Sequence, residues 1–269
     1  MASYERILEL RLKLTEFVNV AYSFFGDISI PLLCERRGYS SYEMQKTLHD
    51  MQVFRLDNLG DIEFLPNAPS YVQYYKDWGF LTESGDFILR GRFCVPIRDI
   101  AGNVTALVGW YNDQKKYVTT PTAGFARDAQ FFNMDSYKYS IDNFNGKTFL
   151  VEGIFDTIAM RSMGYPCIGN MGLPLSGLKQ LMLLRYNKVC AIPDNDKVGA
   201  SVRDSKSKNF WNLSRVNSVF VKLPDIKGIK DIDDLLKVMH MSDTGADEFK
   251  KEFDLIIQEK QIYHIIATK

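Results

Sequence analysis

Histidine and cysteine are scarce in this chain of 269 residues, which contains three histidines and four cysteines. The cysteines lie far apart and form no C-x-x-C pair, so the sequence predicts neither a zinc ribbon nor a disulfide framework. We expect them to be buried as small apolar side chains. The histidines lie in helical patterns away from predicted strand ends, which argues against Ser-His-Asp or Cys-His catalysis.

Nucleotide-binding glycine loops and long apolar runs are also missing. The sequence has no G-x-G-x-x-G or G-x4-G-K-[ST] motif, which excludes the common dinucleotide-binding and P-loop sites. No run approaches the roughly 20 consecutive apolar residues of a transmembrane helix, and the N-terminus does not resemble a secretory signal. With 46% hydrophobic and 25% charged residues, the composition is that of a globular chain with one or two cores. We expect it to be cytoplasmic.

The formal net charge is zero, but charge is unevenly distributed along the chain. Residues 1–89 hold 8 Lys/Arg against 13 Asp/Glu, whereas residues 90–127 hold 6 against 2 and residues 185–230 hold 10 against 4. The two basic segments are compatible with a polyanionic partner. Solvated helix surfaces explain any single lysine in such a run equally well.

The first half of the chain combines predicted helices with short β-rich runs. Residues 3–25 have apolar residues at helical spacing, and Gly26 is expected to end that helix. Ser40 and Glu43 form an S-x-x-E capping box, which predicts the start of a second helix. The β-rich runs cover residues 87–89, 92–97 and 104–110, with a turn at 101–103 between the last two. They predict a small sheet or hairpin.

The second half alternates regularly between strand and helix patterns. Strands are predicted at residues 148–152, 167–169, 189–193 and 216–223, and helices at 154–163, 176–184, 200–213 and 244–266. This alternation, with short apolar strands, predicts a parallel sheet covered by helices on both faces. Functional groups are therefore expected at the carboxyl ends of the strands.

Carboxylates follow two of these predicted strands. Glu152 comes directly after one strand, and Asp194 and Asp196 follow another. Asp156 lies one helical turn after Glu152 and can face it. Each acid alone is compatible with a solvated turn, but crowded carboxylates repel one another unless a cation neutralises them. Ligands that are all oxygen favour Mg²⁺ or Mn²⁺.

An EF-hand is excluded on spacing, because Val198 and Ser205 occupy positions at which the loop needs ligands. The E-G-x-x-D pattern at residues 152–156, together with D-x-D-x-x-G at residues 194–199, resembles the Toprim family of primases, topoisomerases and nucleases. This match indicates metal-dependent phosphoryl transfer rather than one particular reaction.

Flanking segments resemble the bacterial-type, DnaG-like primases. Residues 90–99 are similar to the R-x-R-I-x-F-P-I-x-D motif of that family, and residues 116–121 to its K-Y-L-N-S-P segment. Residues 36–40 resemble its R-G-[LI]-S segment, and residues 230–235 its K-D-P-D-E-Y-L segment. The resemblance covers about residues 30–237.

The resemblance implies an α/β fold with a Toprim-type parallel sheet flanked by helices. A smaller mixed α+β sub-domain would precede it and C-terminal helices would follow. The expected boundaries are 1–145 for the N-terminal sub-domain, 146–225 for the Toprim domain and 226–269 for the C-terminal helical segment.

The implied function is a DNA primase that makes short RNA primers from ribonucleoside triphosphates on single-stranded DNA. The catalytic residues would be Glu152, Asp156, Asp194 and Asp196, and the metal ligands Glu152, Asp194, Asp196, Asp231 and Asp233. Nucleotide and DNA phosphates would be bound by Arg90, Arg92, Lys116 and Arg127. The expected cofactor is Mg²⁺ or Mn²⁺, with no zinc in this chain. A replicative helicase and a separate zinc-binding start-site module are the expected partners.

Two departures from the family pattern bear on specificity. Trp110 and Tyr111 follow Gly109 where the family has Gly-Gly-Arg, and Thr119 replaces an asparagine. Trp110 and Tyr111 could stack on a template base, although packing is the simpler expectation. The alternatives to a primase are a Toprim nuclease, in which water attacks a phosphodiester, and a non-catalytic replication accessory protein. A topoisomerase needs a strand-passage gate larger than this chain offers.

Overall fold

The computed structural model shows a chain that packs as two compact units, Met1–Arg127 and Asp128–Lys269. The structure describes residues 4–57, 75–77, 79–111, 116–120, 130–171, 174–194, 213, 215–221, 223 and 228–240. The predicted helix at 244–266 lies outside these residues, as does all but the last residue of the one at 200–213. The three-part division at 145/146 and 225/226 stays a prediction.

The first unit begins with a long helix, α1, at Tyr4–Arg37. The predicted end at Gly26 is wrong, because the helix continues for three more turns. A glycine inside a helix costs only about 1 kcal/mol relative to alanine, and Ile30 and Leu33 beyond it are fully buried. The helix ends before Gly38, whose φ of +71° suits a residue without a side chain.

By length and composition alone, α1 could cross a membrane over Glu5–Arg37. The core helix of a soluble protein passes the same test. In this structure its apolar face packs into the core of the first unit through Leu10, Leu14, Phe17, Val18 and Ala21. The packing is that of a core helix, and the cytoplasmic location stays a prediction.

A second helix, α2, spans Tyr42–Asp50. Its N-cap is Ser41, whose side chain accepts a hydrogen bond from the Met44 backbone nitrogen at 3.1 Å. The predicted cap, Ser40, was one residue too early. Two adjacent serines make the cap ambiguous from sequence, because either can satisfy a free N–H of the first turn.

The remaining elements of the first unit form an antiparallel sheet in the order β1-β2-β3-β4. The strands are β1 (Phe54–Arg55), β2 (Phe93–Arg98), β3 (Val104–Tyr111) and β4 (Lys116–Thr119). The predicted hairpin is present as β2 and β3, and its turn is held by Asp99, which accepts from the Ala101 and Asn103 nitrogens at 3.0 Å each. The predicted strand at 87–89 is not formed, because in the described structure Phe87 makes a single bridge, to Leu81.

The second unit contains a parallel sheet with strand order β6-β5-β7-β8 and helices packed around it. Its elements are α3 (Tyr137–Phe144), β5 (Lys147–Val151), α4 (Ile154–Ser162), β6 (Cys167–Gly169), α5 (Gly177–Leu183), β7 (Lys188–Ile192), β8 (Ser218–Phe220) and α6 (Ile232–His240). The predicted fold class is confirmed. Among the described elements, a helix lies in sequence between β5 and β6 and another between β6 and β7. Buried apolar strands connected in this way form a parallel sheet with helices covering its faces.

Candidate functional site

Two predicted site residues lie at the carboxyl edge of the parallel sheet. Glu152 follows β5 directly, and Asp194 lies two residues beyond β7. Val151 and Ile192, the last residues of these neighbouring strands, are paired in register, so the strands end side by side. Both acids are half-buried. Asp196 lies outside the described residues.

Asp156 connects the start of α4 to the start of α6. Its Oδ2 atom accepts from the Gly153 nitrogen at 3.0 Å, and its Oδ1 atom accepts from the Asp233 nitrogen at 3.2 Å. The side chain is only 7% exposed. Gly153 is required here, because a Cβ atom at that position would lie 2.3 Å from Asp156 Oδ2. One carboxylate therefore holds together two segments that are 77 residues apart in sequence.

Three further carboxylates gather at the start of α6. Oxygen atoms of Asp231, Asp233 and Asp234 all lie within 4.8 Å of one another. Asp231 Oδ1 accepts from the Asp234 nitrogen at 2.7 Å, and Lys237 donates to Asp233 Oδ2 at 2.5 Å. Asp234 was not predicted as a site residue. Its signal was the acidic pair at 233–234, which the structure places in the first turn of α6 and which can also be interpreted as simple helix capping.

Burial and mutual repulsion raise the pKa of two of these acids. Burial is the main cause that raises the pKa of Asp156 from 3.8 to about 7, and the charges of Asp231 and Asp233 raise it further. Burial also raises the pKa of Asp231. A cation at this position would reverse both effects. Because all these ligands are carboxylate oxygens, the group fits Mg²⁺ or Mn²⁺ and not a zinc site with cysteine or histidine ligands.

The basic residues expected to bind phosphate belong to the first unit. The Arg92 guanidinium lies 5.7 Å from the centre of the Tyr111 ring, and Tyr111 pairs with Lys116 across β3 and β4. Arg90 is exposed, and its Nε donates to the Asp57 carbonyl at 2.9 Å. Arg127 lies outside the described residues. Arg92 and Lys116 thus adjoin Tyr111 at one end of the antiparallel sheet.

Trp110 packs inside the first unit, as expected for this departure from the family pattern. It is 4% exposed, and its ring centre lies 6.0 Å from that of Phe93. The Arg37 guanidinium lies 5.1 Å from the Trp110 ring centre, within the range of a cation–π contact. A base could not stack on this ring without displacing its neighbours.

Comparison with known proteins agrees with this architecture. Residues 149–236 match a family model described as Toprim-like. A DnaG primase catalytic domain solved with single-stranded DNA aligns over 93% of this chain and 80% of its own length, with a TM-score of 0.67 and 22% identity. The chain has the fold of a DnaG primase catalytic core. The E. coli primase catalytic core aligns over 90% of this chain and 82% of its own length, with a TM-score of 0.63 and 20% identity.

A structure of the zinc-binding and RNA polymerase domains of Aquifex aeolicus primase aligns over 90% of this chain and 59% of its own length, with a TM-score of 0.67 and 21% identity. No curated protein sequence matches the chain. The Toprim-like region of this chain contains all the described carboxylates of the candidate site: Glu152, Asp156, Asp194, Asp231, Asp233 and Asp234.

Proposed function

We propose that this protein is a DNA primase that synthesises short RNA primers from ribonucleoside triphosphates on single-stranded DNA. The observation that supports this most strongly is the carboxylate group around Asp156 in a Toprim-like region of a DnaG-type core. Buried carboxylates destabilise a fold unless they are paired or bind a cation. These carboxylates are concentrated at the carboxyl edge of a parallel sheet, which is where such folds bind ligands.

The proposed metal ligands are Glu152, Asp194, Asp196, Asp231 and Asp233, with Mg²⁺ or Mn²⁺ as the cofactor. When bound, the divalent ions would supply Lewis acidity toward the attacking primer hydroxyl and neutralise charge on the triphosphate, so no histidine base is needed. Asp156 is proposed to position the others, because its two oxygens accept backbone N–H groups next to Glu152 and at Asp233.

Phosphate binding is proposed for Arg90, Arg92, Lys116 and Arg127. A guanidinium can donate two parallel hydrogen bonds to one phosphate, which gives orientation as well as charge. The contact of Arg92 with Tyr111 holds its guanidinium at the strand end where β3 is followed by β4. Template DNA and nucleotides would both bring phosphates to such a surface.

The proposed partners follow from the same fold. One structure that resembles this chain was solved with single-stranded DNA, and another includes a zinc-binding domain. All four cysteines here are buried and free, so a zinc-binding start-site module is proposed as a separate partner, together with a replicative helicase. The proposed location is the cytoplasm.

A Toprim nuclease is the second candidate, because the same carboxylates could hold ions that activate water against a phosphodiester. The antiparallel sheet of the first unit favours the primase, since the DnaG-type likeness extends over that unit as well as the Toprim-like region. An accessory protein without catalysis would have no need for the carboxylate group.

A paired assay separates these functions. Purified protein is incubated with single-stranded DNA, Mg²⁺ or Mn²⁺ and labelled ribonucleotides, and the same DNA is labelled separately to detect cleavage. Short RNA products that depend on the template and on the divalent ion would support the primase. Cleavage without synthesis would establish the nuclease instead, and neither product over a range of ions and templates would favour the accessory role.

A further inference from the structure

Three acidic or basic side chains are buried among the described residues, and all are in the second unit. Asp156 and Asp233 belong to the candidate site, whereas Lys179, at 0% exposure, does not. A buried ammonium loses its hydration and must regain equivalent contacts inside the protein. Lys179 therefore needs a physical explanation that the proposed roles of the carboxylates do not supply.

The ammonium group of Lys179 makes two hydrogen bonds to Asn170. Lys179 Nζ donates to the Asn170 backbone oxygen at 2.8 Å and to Asn170 Oδ1 at 2.7 Å. It also lies 5.1 Å from the centre of the Phe131 ring. At the other end, the Lys179 backbone nitrogen donates to the Ser176 hydroxyl at 3.1 Å, which fixes the first turn of α5. Lys179 is thus held both at its backbone nitrogen and at its ammonium group.

Asn170 lies at the edge of the sheet that carries the proposed metal ligands. It follows β6, is 0% exposed, and its nitrogen donates to the Val151 oxygen at 2.9 Å. Gly169 and Val151 are paired in register. The next residues of the two parallel strands, Asn170 and Glu152, are consequently neighbours across the sheet.

We propose that Lys179 and Asn170 form a buried clamp that fixes the chain after β6 beside Glu152, and so positions the Glu152 carboxylate for a divalent cation. Lys179 is a positioning residue in this scheme and touches neither metal nor substrate. The inference rests on the proposed metal-binding function of Glu152. It adds two residues that the motifs of the sequence did not indicate.

The presence of a lysine at buried position 179 favours a positioning role over simple packing. A buried charged group can often be replaced by an apolar residue of similar volume with no loss of stability. Methionine would fill the same unbranched space, but it could not donate to either oxygen of Asn170. A hydrogen-bonded ammonium instead defines one orientation for the residue to which it binds.

The test measures Mn²⁺ binding directly, by electron paramagnetic resonance of the free ion, in the full chain. The variants are Lys179→Met, Asn170→Ala and the double substitution, with Lys138→Met on the exposed surface of α3 as the matched control. Far-UV circular dichroism establishes the temperature range in which each variant is folded. Asn170→Ala keeps the ammonium and one of its acceptors, so it tests the clamp even where Lys179→Met does not fold.

Each single variant is expected to weaken Mn²⁺ binding by about 10-fold or more while folded, as is usual for residues that orient metal ligands. The double variant should bind Mn²⁺ no more weakly than the weaker-binding of the two single variants, because each single substitution already disrupts the same contact. Lys138→Met should bind Mn²⁺ like the wild type. Folded variants with a lower melting temperature but unchanged Mn²⁺ affinity would overturn the clamp and leave Lys179 a packing residue.

The same experiment separates this inference from the proposed function. If the wild type binds Mn²⁺, and the clamp variants bind it more weakly, but no primer is made, the primase proposal fails and the clamp stands. If the wild type binds no Mn²⁺ at all, both fail together.

Discussion

Replacing Asp156 with asparagine should change how the stability of the metal-free protein depends on pH. Asp156 is buried and accepts hydrogen bonds from two backbone nitrogens, and burial raises its pKa from 3.8 to about 7. The folded chain therefore keeps this proton over a pH range in which the unfolded chain has lost it. Stability must fall as pH rises through that range.

The size of the effect follows from the shift in pKa. Each unit corresponds to about 1.4 kcal/mol, so ionised Asp156 lowers the free energy of unfolding by about 4 kcal/mol at high pH. The loss begins near the unfolded pKa of 3.8 and is complete above the folded value of about 7. Of the total, about 3 kcal/mol is lost between about pH 5 and pH 8.

Asparagine at 156 cannot ionise, so its variant should lack this part of the pH dependence. It offers a single acceptor oxygen to two backbone donors, which costs about 1–3 kcal/mol at every pH. Relative to the wild type, the variant should therefore gain about 3 kcal/mol between about pH 5 and pH 8, whatever that constant cost is. Some slope remains in both proteins, because the pKa of Asp231 is also raised.

The measurement is urea denaturation in EDTA, followed by circular dichroism at several pH values. Asp142→Asn, at an exposed acid on α3, controls for the loss of one negative charge. If the Asp156→Asn and wild-type stabilities run parallel from about pH 5 to pH 8, then burial does not hold a proton on Asp156 and the electrostatic description of the site is wrong.

Two further substitutions test separate parts of the structure. Gly153→Ala should destabilise the protein by about 1–3 kcal/mol, because the new Cβ would meet Asp156 Oδ2 at 2.3 Å. The control in the same denaturation assay is Gly177→Ala, whose new Cβ would meet nothing within 4 Å. Equal losses of stability in the two variants would contradict the close contact at Gly153. Arg92→Ala should weaken binding to single-stranded DNA. It should also reduce the steepness of the plot of log association constant against log salt concentration by about 0.7, the change expected for one lost phosphate contact. Arg6→Ala, at an exposed arginine paired with Asp77, is the control in a fluorescence anisotropy titration, and an unchanged Arg92→Ala slope would remove Arg92 from the binding surface.

Local patterns were sufficient to predict the parallel sheet and the class of the fold, but in the antiparallel sheet they predicted the β2–β3 hairpin and not β1 or β4. Strands β5, β6 and β7 lie within one residue of their predicted bounds, because short buried apolar runs bounded by glycine or proline are local features. The hairpin of β2 and β3 was predictable for the same reason. The length of α1 was not, because the part of the helix beyond Gly26 contacts residues distant in sequence, as Arg37 does with Trp110.

The candidate site was predictable only in part. Glu152, Asp156 and Asp194 were found because they follow apolar strands or lie one helical turn onward, which are local spacings. The contact between Asp156 and Asp233 spans 77 residues, and only the resemblance to DnaG-like primases placed Asp233 near the site. Lys179 was missed because a lysine in an amphipathic helix is expected to be exposed to solvent. Its burial arises only when the second unit folds around it.

The most direct test of the central proposal compares primer synthesis by the wild type, Asp194→Ala and Asp142→Ala. All three are assayed with Mg²⁺, single-stranded DNA and labelled ribonucleotides, after circular dichroism has shown that each is folded. We predict short RNA products from the wild type and Asp142→Ala, and none from Asp194→Ala. Undiminished synthesis by Asp194→Ala would show that the carboxylates at the edge of the parallel sheet are not the site of catalysis.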